Sequence, residues 1–116
     1  MTMESTEAKH SGVVHWRWQR LSGVLLLPVA LLLVFELAGI LGADYSIASA
    51  WAGKPLSKLL LLAGFPLLYL HGALGVQVVI EDYVGEPAST RLIKGARVLA
   101  ATAAIVSVLA VFFAGG

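Results

Sequence analysis

An all-α membrane protein, with three transmembrane helices in an up-down-up bundle, is the fold class that three observations predict. The chain has 116 residues, of which 59% are hydrophobic, and its mean hydropathy is +0.87. A soluble domain of this size cannot hide so much apolar surface. The apolar residues gather in three blocks, each long enough to cross a bilayer, instead of recurring with an amphipathic period. The charged residues, 13% of the chain, collect at the block ends.

The single membrane domain covers residues 1–116 and divides in order. Residues 1–20 form a tail and interfacial segment, and the spans cover 21–41, 56–80 and 92–114. The first fourteen residues, MTMESTEAKHSGVV, are polar and aperiodic and are read as a mobile tail. His15-Trp16-Arg17-Trp18-Gln19-Arg20 then alternates rings with cations, the usual composition of a membrane interface. Anchoring and topology account for Trp16 and Trp18. Arg20 is nearest the hydrocarbon and could also meet an acidic cofactor group.

Leu21–Leu41 is the first span, roughly 31 Å of helix against a bilayer core of about 30 Å. Pro28 removes a backbone hydrogen bond and is expected to kink it, which a bundle tolerates. Glu36 falls about 24 Å beyond Arg20, closer to the far headgroups than to the midplane. Arg17 and Arg20 before an apolar run, with Ala48-Ser49-Ala50 after it, raise the possibility of a cleaved signal. The run is too long and the small-residue site too distant for that reading.

Gly42–Pro55 is a short polar connection in which Trp51, Lys54 and Pro55 mark re-entry. Leu56–Ile80 is the second span, with Ser57 and Lys58 at its interface and the lysine amine snorkelling outward. Glu81–Lys94 is the second connection, where Gly85 and Pro87 stop the helix. The third span centres on Leu99–Phe113, rich in the small residues that suit close packing. Lys9, Arg17 and Arg20 precede the first span, and Arg91, Lys94 and Arg97 follow the second, whereas the first connection has only Lys54 and Lys58 nearby. The positive-inside rule therefore places the N-terminus and the second connection in the cytoplasm and the C-terminus on the opposite side.

Composition also excludes chemistry. A net charge of +1 with the cations at span ends gives no nucleic-acid surface, and the absence of cysteine excludes disulfides and cysteine-held iron–sulfur clusters within the chain. A redox centre would be held by histidine or lie in a partner.

The residue that demands explanation is His71, the one histidine inside a span. It is expected about 14 Å from the Ile80 end, near mid-bilayer. An imidazole there needs a hydrogen-bond partner or a metal. Gly72 and Gly75 leave its surroundings free of bulk, which suits either a porphyrin or close helix packing. A haem with two histidine ligands would take the second from another chain. Asp82 comes eleven positions later, within roughly 20° of the same helix face, so His71, Gly75 and Asp82 form one stripe ending beside Tyr83. A phenol at that surface can hydrogen-bond a lipid-soluble carbonyl, and a neighbouring carboxylate can relay protons. Interfacial tyrosine with helix-end charge is the alternative.

The block from His71 through Gly75 to Asp82-Tyr83 resembles the H-x(3)-G-x(6)-D-Y signature of the succinate dehydrogenase hydrophobic membrane anchor family, the smaller, D-type anchor of bacterial complex II. His15, Gln19 and Arg20 before the first span, and the three-span layout, extend the resemblance over about residues 15–113. It implies packing with a second, cytochrome b-type anchor subunit and assembly with iron–sulfur and flavoprotein subunits. It implies His71 as an axial ligand of a haem b shared with that second anchor, Arg20 near the haem propionates, Tyr83 as the ubiquinone contact and Asp82 as its neighbour. Glu81 and Arg17 receive no role. The implied activity is ubiquinone reduction by electrons from succinate, with no succinate chemistry in this chain. A bacterial inner membrane is the expected location, from the short tail and the lack of a transit segment. The competing readings are a fumarate reductase anchor, a small proton-coupled transporter using Glu36, and a purely structural assembly subunit.

Overall fold

A computed structural model of the chain describes residues 3–115, with side chains from residue 12 onward. Among these residues there are four helices and no strand: α1 (Met3–Ala38), α2 (Tyr45–Gly53), α3 (Pro55–Tyr83) and α4 (Ala88–Phe112). Three of them, α1 from Gly12 on, α3 and α4, are long and apolar enough to cross a membrane. The all-α, three-span fold class is therefore what the chain adopts.

The boundaries differ from the sequence reading in instructive ways. α1 starts at Met3, so residues 3–14 are helical where a mobile tail was expected; residues 1–2 lie outside the described residues. Once a long apolar segment has nucleated a helix, each added residue costs little, and no glycine or proline interrupts the first turns. At 36 residues α1 is about 54 Å long, well beyond a hydrocarbon core of about 30 Å. It runs through Pro28 as one helix, as α3 runs through Pro66. α3 and α4 extend past the predicted second and third spans at their starts, α3 also passes Ile80 to end at Tyr83, and α4 stops at Phe112.

The connection read as polar coil contains α2. Asp44 caps it: its side chain accepts the Ile47 backbone N–H at 3.0 Å and the Ser46 hydroxyl at 2.9 Å. These bonds favour the anionic form and hold the Asp44 carboxyl below its ordinary value of 3.8. Pro55 then opens α3 at a position where its missing N–H costs nothing.

α3 is the central element. α1 packs antiparallel on one of its faces and α4 antiparallel on the other, while α2 folds against its beginning. The interior is built of small residues as much as large ones: Ser22, Ser57, Gly64 and Ser89 are buried beside Trp51, Leu60 and Val111. That is the packing expected where lipid, as apolar as leucine, removes the hydrophobic drive between helices and close approach supplies the energy. Gly64 shows it directly, because a Cβ there would stand 2.9 Å from Leu33 Cδ1 and 3.3 Å from Val29 Cγ1. Large apolar side chains such as Leu27, Leu31, Phe35, Leu99 and Phe112 point outward.

Polar ties join the helices at several levels. Tyr69 and Ser107 share a hydrogen bond at 3.0 Å between α3 and α4. The Lys58 ammonium donates to the Phe112 carbonyl at 3.0 Å, satisfying the negative end of α4. Ser57, expected at the interface, is only 1% exposed. Gly115, the last of the described residues, adopts φ +70°, and its Cα comes close enough to Gly53 of α2 that an added Cβ would lie 2.6 Å from the Gly53 Cα.

Candidate functional site

His71 projects from α3 toward α1, where two small residues receive it. Its Nδ1 lies 3.1 Å from Ser22 Oγ, and Ser22 is 2% exposed. Ser22 Oγ also donates to the Gln19 carbonyl at 3.1 Å. The imidazole edge rests on Gly23, where a Cβ would approach Cε1 to 3.1 Å. One turn further along α3, Gly75 faces Gln19, whose Nε2 would be 3.5 Å from an added Cβ. Gly72, in contrast, has open space beside it. The room around the imidazole is thus made largely by Ser22 and Gly23 across the seam. Gly75 accommodates Gln19.

The pairing with Ser22 sets His71 against the first half of the apolar segment of α1. Ser22 is two residues past Arg20, about 3 Å along α1, so His71 is level with Arg20 across the seam. Arg20 shares that level but not that face. It lies about 160° around α1 from Ser22, with its guanidinium over the Trp16 ring at 5.1 Å and, beside Arg17, in an outward groove of about 620 Å³. Two further polar atoms are buried without partners on the Ser22 side of α1, His15 Nε2 and Gln19 Oε1.

The stripe from His71 to Asp82 ends at the terminus of α3. Tyr83 is 85% exposed there and Asp82 is exposed beside it, so both are free to meet something outside the chain. Glu81, which had no assigned role, belongs to a different network. It accepts from Gln77 Nε2 at 2.8 Å, while Arg97 of α4 donates to Gln77 Oε1 at 2.7 Å. This chain of bonds ties α3 to α4 one helix face away from the stripe. In the connection that follows, Glu86 accepts from the Thr90 hydroxyl at 2.6 Å, which holds its carboxyl below the ordinary value.

At the other end of the bundle, Glu36 accepts the indole N–H of Trp51 at 3.2 Å. Trp51 is 7% exposed and folds back from α2. The carboxyl that a transporter would use is engaged in holding the first connection against α1.

The residues present fit a haem in respect of the iron ligand. His71 Nδ1 is occupied, and its Nε2 has no hydrogen-bond partner among the described residues. Among the same residues there is no group of three or more histidine, cysteine, aspartate or glutamate side chains that could hold a metal ion alone.

The transmembrane subunit family of succinate dehydrogenase and fumarate reductase matches residues 4–110. The chain belongs to that family. The succinate dehydrogenase hydrophobic membrane anchor subunit of Rickettsia felis is 35% identical over 81 residues, covering 70% of this chain and 68% of its own. That of Rickettsia bellii is 30% identical over 114 residues, covering 97% of this chain and 90% of its own. No solved structure matches. The resemblance read from the H-x(3)-G-x(6)-D-Y block therefore holds, and the chain is a multi-pass membrane anchor.

Sequence reasoning missed Ser22 and Gly23, the Gln77–Arg97–Glu81 network and the Trp51–Glu36 bond. The first pair carried a signal, two adjacent small residues opening an otherwise bulky span. The other two depend on which helix faces meet, which no local pattern announces.

Proposed function

We propose that the chain anchors an iron–sulfur and a flavoprotein subunit to the membrane, shares a haem b with a second, cytochrome b-type anchor and contributes to a ubiquinone-reducing site. The observation that carries this reading is the pairing, on one helix of a succinate dehydrogenase-type anchor, of a span histidine with an unpartnered Nε2 and an exposed Asp82-Tyr83 end.

His71 would be this chain's axial ligand to iron through Nε2. A haem bound there would supply a one-electron store beside the quinone pocket. Arg20, on α1 beside the level of His71, would neutralise a propionate, its long side chain leaving the Trp16 ring to do so. The Tyr83 hydroxyl would donate to a ubiquinone carbonyl, orienting the ring at the membrane surface. Ubiquinone takes two electrons, delivered from succinate through the iron–sulfur subunit, and two protons to become ubiquinol. Asp82, exposed to water beside Tyr83, is placed in sequence to pass protons inward. The cation distribution orients the N-terminus and the α3–α4 connection toward the cytoplasm and the C-terminus toward the periplasm of a bacterial inner membrane. Electron entry and proton uptake would then share one face.

The test is to purify the tagged chain with its native partners and compare reduced-minus-oxidised optical spectra of the unaltered complex and His71→Ala. A b-type signal that accompanies succinate–quinone activity and is altered or lost in His71→Ala is expected. A complex without haem, or one whose signal is indifferent to His71, would overturn the haem assignment.

A further inference from the structure

We infer that Ser22 is the positioning residue of His71: its hydroxyl accepts the Nδ1–H, fixes the tautomer whose lone pair lies on Nε2, and aims that nitrogen at the iron. The inference rests on the haem reading above and deepens it.

Ser22 Oγ stands 3.1 Å from two groups, the Gln19 carbonyl and His71 Nδ1, and a hydroxyl has one proton to give. A serine inside a helix gives it to the carbonyl a turn back, as the Gln19 contact shows. The oxygen is then left with lone pairs only, so Nδ1 must bring the proton to their shared bond. A neutral imidazole protonated on Nδ1 has its lone pair on Nε2, the form that binds a metal. The reverse arrangement would put an N–H on Nε2, where no acceptor exists among the described residues, at the cost of an unsatisfied donor in an apolar span.

Burial and shape enforce the choice. At 2% exposure Ser22 has no solvent to compete for its oxygen. Gly23 supplies the floor: a side chain there would begin 3.1 Å from Cε1 and 3.5 Å from Nδ1, so the ring would have to move by a few tenths of an ångström to admit one. The adjacent pair therefore sets both the protonation and the pitch of the imidazole from a different helix than the one that carries it. A hydrogen bond to the outer nitrogen also raises the basicity of the ligating one, which strengthens its hold on iron and favours the ferric state.

The experiment uses the intact complex with its partners and compares Ser22→Ala, Ser22→Cys and Ser22→Thr with the unaltered chain and His71→Ala. Haem content, rate of haem loss, reduced-minus-oxidised spectrum and midpoint potential are read on assembled complex recovered by native electrophoresis. Ser22→Ala is expected to lose haem about 10–100-fold faster and to show a raised midpoint potential. Ser22→Thr, which keeps the hydroxyl, is expected to restore both. Ser22→Cys keeps the volume but offers only a weak acceptor, and serves if the alanine variant fails to assemble; it should behave as the alanine variant does. Haem loss, spectrum and potential all unchanged in the assembled Ala or Cys variant would overturn the role of Ser22 alone, provided His71→Ala loses its haem signal. A haem signal indifferent to His71, or absent from the unaltered complex, would overturn the parent reading and this one with it.

Discussion

His71 and Tyr83 share a helix but meet opposite surroundings, and each surrounding suits a different task. The imidazole is held by a buried hydroxyl and a bare glycine, which restricts its orientation. The phenol is almost fully exposed and has no hydrogen-bond partner among the described residues, which leaves its hydroxyl available. Tyr83→Phe removes only that hydroxyl. It is expected to reduce the quinone-reduction rate at limiting quinone by about tenfold, the worth of roughly one hydrogen bond, while the haem spectrum stays as it was. Steady-state kinetics on the purified complex, with the spectrum recorded on the same sample, checks both halves. An unchanged rate would exclude Tyr83 as a quinone contact.

Each transmembrane element owes its existence to apolar length and its placement to a few polar or small residues. α2 is the exception, a short helix of nine residues that depends on its cap. Asp44 supplies that cap as a carboxylate, and its folded pKa lies below the ordinary 3.8 because the bonded form is the anion. The direction follows: the cap's contribution is complete above the unfolded value and is lost as the pH falls through the folded one. Amide exchange in α2, corrected for intrinsic rates, should therefore accelerate below about pH 3.8 relative to α3. Asp44→Ala should show the faster exchange already at neutral pH and lose the acid-dependent step. Equal exchange in α2 for both chains across that range would show that Asp44 does not cap the helix.

At the scale of the molecule, α3 lies between α1 and α4, and α2 closes the end where Glu36 and Trp51 meet. A central helix flanked on two faces leaves its remaining surface to lipid or to another subunit. The three-span path also makes a topological prediction. A reporter that is active only outside the cytoplasm should be active when fused after the C-terminus and inactive when fused after Gly85. Reversing the result would invert the orientation drawn from Arg17, Arg20, Arg91, Lys94 and Arg97.

Much of this was legible in one dimension because a bilayer imposes its thickness on any chain that crosses it. Block length alone identifies the three spans, and the spacing from His71 to Asp82-Tyr83 identifies the family. These are properties of consecutive residues, and each is read without knowing which helix touches which. Register between helices is another matter. That His71 lies level with Ser22, that Gly23 and not Gly72 bears the ring, and that Gln77 meets Arg97 depend on how α1 and α4 slide and rotate against α3. The same holds for α2, whose Trp51 finds Glu36 only when the connection folds back. Apolar surfaces in lipid constrain such sliding weakly, so close contacts at glycine and serine and a handful of hydrogen bonds decide it, and they exist only in three dimensions.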